Sequence, residues 1–111
     1  MATVNSQMHG NIPVISVNGR VDGLSAPQLE SALQAALDAR HYKVVVDLAD
    51  TEFLSSAGMR ALLKARMEMQ DKKGELRLAA PSTFILDSLK LVGLDKLFKI
   101  YDSSQAALAG F

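Results

Sequence analysis

Two adjacent hydroxyls, Ser55 and Ser56, lie between the apolar run Val44-Val45-Val46-Asp47-Leu48 and the segment Ala57-Gly58-Met59-Arg60, which opens a helix. The first N–H groups of a helix have no intrahelical partner and form the positive end of its dipole. A serine there is a good N-cap, and a phosphate attached to it is electrostatically tolerated. The chemistry on offer is therefore a structural cap, a covalent phosphoryl signal, or both.

Other chemistries fail on residue inventory. Ser56-Ala57-Gly58 after a strand resembles the second half of a Gly-x-Ser-x-Gly nucleophile elbow, but Leu54 stands where the first glycine belongs. The only histidines, His9 and His41, both precede Ser56, against the Ser…Asp…His order of that fold. His9 falls in a turn and His41 at a helix end, so both read as solvated surface residues rather than metal ligands. Gly19 and Gly23 are separated by Asp22 and lack a following Lys-Ser/Thr, so no phosphate loop is present. Asp47 and Asp50 sit at a strand end and its loop, where carboxylates ordinarily hydrogen-bond turns. The reading is of a non-enzyme without cofactor or metal.

The elements that position the serines follow from periodicity. Residues 4–8 and 12–17 read as strands flanking the turn His9-Gly10-Asn11, with Ile12 and Val14 on one face and Ile15 and Val17 on the other. Ser25, Pro27 and Gln28 read as cap, first turn and capping-box partner of a helix whose Leu29, Leu33 and Leu37 form an apolar stripe to residue 40. Residues 44–48 read as a central strand covered on both faces. The helix after Ser56 carries Met59, Leu63 and Met67 on one stripe with Leu62 beside them, leaves Arg60, Lys64, Glu68 and Asp71 for solvent, and ends at Gly74. Residues 75–79 form a strand, and Pro81-Ser82 opens a helix with Ile85, Leu89 and Val92. Gly93 is its C′ residue, with Leu94 placed to pack back on Leu89. A short strand at 98–101 and a helix at 104–109 close the chain. The alternation predicts an α/β fold, a mostly parallel mixed sheet of about five strands with about four helices packed on it.

Composition bounds the partners. The 111 residues, 49% of them hydrophobic, suffice for one domain with a single core. Twelve basic and twelve acidic residues cancel to a net charge of zero, which favours neither nucleic acid nor an anionic membrane as partner. The absence of cysteine is compatible with a reducing cytoplasm. No apolar run approaches the ~18 residues of a membrane span, and the N-terminus has no basic region followed by an apolar one. The expectation is a cytoplasmic protein.

The order of motifs resembles the STAS domain, and within it the bacterial anti-sigma factor antagonists. Gly19-Arg20-Val21-Asp22 precedes a helix carrying Ala26-Pro27-Gln28-Leu29; Val46-Asp47-Leu48 is followed by Phe53-Leu54-Ser55-Ser56-Ala57-Gly58-Met59; Leu91-Val92-Gly93-Leu94-Asp95-Lys96-Leu97-Phe98 precedes an alanine-rich tail. The resemblance spans nearly the whole chain and implies one STAS domain over residues 1–111.

The resemblance also implies a function. The unmodified domain binds an anti-sigma factor, a serine kinase of the histidine-kinase-like ATPase fold, and so frees a sigma factor. Phosphorylation of the signature serine breaks the complex, and a PP2C-type serine phosphatase restores it. By position the acceptor is Ser56, with Ser55 as second candidate because it replaces the aspartate of the founding members. Asp22 matches a loop aspartate near the acceptor, and Asp47 the acidic end of the central strand. Asp22, Ser55, Ser56, Gly58 and Met59 form the implied partner surface of a domain monomeric on its own. The competing reading is a STAS subunit docking without phosphorylation in a phospholipid-transport ABC complex.

Overall fold

The computed structural model describes residues 2–111. Strands β1 (Ala2–His9) and β2 (Ile12–Val21) form a hairpin, followed by helix α1 (Ala26–Asp38) and strands β3 (Lys43–Asp47) and β4 (Thr51–Leu54). Helix α2 (Ser56–Asp71), strand β5 (Glu75–Ala79), helix α3 (Thr83–Leu91), a 3-10 turn (Leu94–Lys96), strand β6 (Ile100–Tyr101) and helix α4 (Ser104–Leu108) complete the chain.

The six strands form one sheet in the order β1-β2-β3-β5-β6, with β4 also pairing with β2. Among the described residues only the β1–β2 hairpin is antiparallel; the other pairings are parallel. The predicted α/β architecture is therefore present, with one more strand than the sequence suggested. The addition is β4, read from sequence as loop. It pairs parallel with the far end of β2, Val21 opposite Leu54, beyond a register shift at Gly19/Arg20. Thr51 obscured it: this polar residue is buried because its hydroxyl donates to the Val17 carbonyl at 2.7 Å.

Side-chain alternation divides the core between the sheet faces. Val44 and Val46 join Ile15, Val17, Leu76 and Leu78 under α1, α2 and α3, whereas Val45 turns to the other face with Val14, Ala79 and Ala107 of α4. Each fully buried Leu or Val here contributes roughly 1.5–3 kcal/mol. Helix α2 is rotated relative to the expected stripe. Gly58, Ala61, Leu62, Ala65 and Met69 are buried, while Met67 is 58% exposed. The small residues Gly58, Ala61 and Ala65 allow close approach to the sheet and α1, so they set the rotation rather than the larger methionines. Helix α3 ends as expected, with Gly93 left-handed at φ 77° and Leu94 buried in the same core as Leu89. Val92 is the C-cap and lies exposed rather than on the buried stripe. No helix among the described residues is long and apolar enough to cross a membrane.

A candidate phosphoacceptor site at the start of helix α2

The site begins with the register of β2 and β4. Val21 and Leu54 are partners across these strands, so Asp22 and Ser55, the next residues on each, emerge together at their carboxyl ends. The Ser55 N–H donates to the Val21 carbonyl at 2.8 Å and fixes the junction. In parallel α/β sheets this end is where ligands and partners are ordinarily met.

The two serines have different jobs. Ser55 is the N-cap of α2, with extended backbone (φ −75°, ψ 169°), and its Oγ accepts from the Gly58 N–H at 3.2 Å. Ser56 is the first helical residue and is exposed, and its hydroxyl makes no hydrogen bond among the described residues. Gly58 faces inward. A Cβ there would lie 2.9 Å from Val21 Cγ1 and 2.7 Å from Leu54 Cδ1, so glycine is what lets the first turn rest on the strand ends. Met59 is half-buried, packing on the main core with its remainder open.

On the neighbouring loop, Asp22 and Ser25 form a reciprocal box. Asp22 Oδ1 accepts from the N–H groups of Leu24 at 3.0 Å and Ser25 at 2.9 Å. Ser25 Oγ accepts from the Asp22 N–H at 2.9 Å, and its own proton lies within reach of the Arg20 carbonyl and Asp22 Oδ1. These bonds, those from Ser25 first, hold the Asp22 carboxyl below its ordinary pKa. The expected box from Ser25 to Gln28 is thus displaced one turn earlier, and Ser25 itself has helical backbone and makes no side-chain cap bond to α1. The missed signal was the spacing Asp22-x-x-Ser25, in which a serine replaces the usual Glu or Gln. Asp47 serves its own loop: its Oδ1 accepts from the Ala49 N–H at 2.9 Å.

Two grooves meet at Arg60, one of which includes Ser56. One, about 260 Å³, is lined by Ser56, Met59, Arg60, Leu63, Val92 and Leu94. The other, about 210 Å³, runs between α1 and α2 past Gly23, Pro27, Ala57 and Arg60. Exposed Leu24 adds apolar surface on the Asp22 loop. A further hollow, about 530 Å³, lies where α1 and α2 end and includes Arg40, Lys43, Lys72 and Lys73 in its lining. No group of three or more potential metal-ligating side chains is present among the described residues. The arrangement is a shallow surface on which, among the described residues around it, the Ser56 hydroxyl is exposed and unengaged.

The STAS domain family model matches residues 3–107. The anti-sigma-F factor antagonist RsfB of Mycobacterium tuberculosis is 30% identical over 108 residues, 97% of this chain and 88% of that protein. BtrV of Bordetella bronchiseptica is 31% identical over 98 residues, 88% of this chain and 84% of that protein. A crystal structure of an anti-sigma factor antagonist from Mycobacterium paratuberculosis matches with a TM-score of 0.89 at 30% identity, covering 97% of this chain and 92% of that chain.

Proposed function

This chain belongs to the STAS domain family, and on that premise we propose that it is an anti-sigma factor antagonist, working as the reversible docking module of a partner switch. Residues 1–111 act as one STAS domain. In the unmodified state the surface around Asp22, Ser56 and Met59 binds an anti-sigma factor with a histidine-kinase-like ATPase fold. That kinase phosphorylates Ser56 and is released, and a PP2C-type phosphatase restores the binding form. Gly58 acts from beneath the surface by seating the helix.

The observation carrying this reading is the division of labour between the serines. Ser55 Oγ is engaged with the Gly58 N–H, whereas the Ser56 hydroxyl is exposed and unengaged. This favours Ser56 as acceptor and leaves the cap intact when it is modified. A phosphate adds about −1.5 to −2 charge units and three acceptors to a surface otherwise bearing a neutral hydroxyl. Bulk and desolvation then fall on the partner interface rather than on the fold.

Tandem mass spectrometry of the tryptic peptide covering residues 44–60, from native protein in growing and stressed cells, tests the reading. Phosphate on Ser56 with condition-dependent occupancy is expected. An unmodified peptide in every condition, at full coverage, would overturn switching and leave constitutive docking, as in a transport complex.

A further inference from the structure

Three cations follow Ser56 on α2: Arg60, Lys64 and Arg66. Lys64 Nζ pairs with Glu30 at 3.6 Å, and Arg66 Nε donates to the Leu97 carbonyl at 2.9 Å while its guanidinium stacks on Phe98. Arg20, on the strand leading to Asp22, lies over the Phe53 ring at 4.7 Å. Arg60 alone of these four makes no ion pair, hydrogen bond or aromatic contact among the described residues. It is exposed, lines both grooves, and shares with Ser56 the one that runs from α2 to Val92 at the end of α3. It stands four residues after Ser56, so the two side chains are neighbours on one helix face, with Cβ atoms about 5–6 Å apart.

We propose that Arg60 is the intramolecular receptor for phosphate on Ser56, folding across the mouth of the α2–α3 groove to clasp it. This rests on Ser56 being the acceptor. In the transfer, Ser56 Oγ bonds the γ-phosphorus of the kinase's nucleoside triphosphate, the bond from that phosphorus to the diphosphate breaks, and the hydroxyl proton is released. The product is a phosphate ester within reach of a planar guanidinium whose geometry suits bidentate pairing. In the unmodified protein Arg60 is free to meet a partner. After modification it is drawn over Met59, Leu63 and Val92, so one covalent event changes both the charge and the shape of the docking surface. Lys64 does not substitute, because it lies eight residues from Ser56, about 12 Å along the helix, and is held by Glu30.

The test uses full-length protein made with phosphoserine incorporated at position 56, so it does not depend on the cellular kinase. Its phosphorus-31 shift is titrated from pH 4 to 8 in the parent, Arg60→Gln and Lys64→Gln proteins. A nearby guanidinium favours the dianion, so the parent should titrate about half a unit below Arg60→Gln, in which the helix N-terminus alone acts on the phosphate. Lys64→Gln should titrate like the parent. Superimposable parent and Arg60→Gln curves would overturn the clasp, as would an equal shift in Lys64→Gln, which would mark a diffuse charge effect. Either failure leaves the switching reading to stand or fall on native phosphorylation and partner binding.

Discussion

Ser55 and Gly58 are tied across the first turn of α2, the serine Oγ accepting the glycine N–H at 3.2 Å. The bond separates capping from signalling in a pair of residues identical in chemistry. Ser55→Ala should cost about 1 kcal/mol of stability through the lost cap. Ser56→Ala should change stability by less than about 0.5 kcal/mol, as exposed substitutions ordinarily do. Urea denaturation of both variants checks the contrast. A larger loss in Ser56→Ala would assign the capping role to the wrong serine.

Gly58→Ala sets two effects against each other. Alanine gains about 1 kcal/mol in helix propensity, but its methyl meets Val21 and Leu54, both buried and fixed at paired strand ends. Overpacking of this kind costs about 1–3 kcal/mol, so net destabilisation is expected, together with weaker partner binding as the first turn lifts. A variant at least as stable as the parent would show that the strand ends yield easily.

The Asp22 box gives stability a pH signature. Hydrogen bonds from Ser25 and Leu24 depress the folded-state pKa of Asp22. Its contribution is therefore present above the unfolded value of about 3.9 and is lost as pH falls through the lower folded value. Asp22→Asn keeps an acceptor oxygen without the titration, so its denaturation midpoint should fall less steeply than the parent's below about pH 4. Parallel pH profiles would contradict this. Ser25→Ala, which empties a buried position of its hydroxyl bonds, should cost about 1–3 kcal/mol at neutral pH.

Arg77 predicts how the C-terminal helix is held. Only 7% exposed, it donates through Nη1 to the carbonyls of Ala107 at 2.9 Å and Ala109 at 3.2 Å. Nε meets Glu75 Oε1 at 3.0 Å, and the guanidinium packs on Tyr101 and Phe111. Arg77→Ala should lose about 2–4 kcal/mol, since the buried Ala107 carbonyl loses its donor along with the packing. Amide exchange over residues 104–111 should accelerate first; uniform protection would show that α4 docks through its apolar face alone.

Much of this architecture was legible because its signals are local. Leu29 and Leu33 mark the buried face of α1, the unbroken valines mark β3 as covered on both faces, and Ser82 opens α3 as a cap through its hydroxyl. What escaped depends on contacts far apart in sequence. The burial of Thr51 in β4 rests on a hydrogen bond to Val17, 34 residues away. The rotation of α2 is set by how closely Gly58 and Ala61 approach the packed elements, which methionine spacing does not encode. At the candidate site the serine pair was visible at once, but not which serine caps. That depends on where α2 begins, a boundary that shifts readily by a residue.

The most direct test of the central claim is calorimetric titration of the cognate anti-sigma factor with unmodified protein and with protein carrying phosphoserine at position 56. The account predicts tight binding of the first and about a hundredfold weaker binding of the second, equivalent to ~3 kcal/mol. Equal affinities would contradict it, because a phosphate on Ser56 would then not control docking.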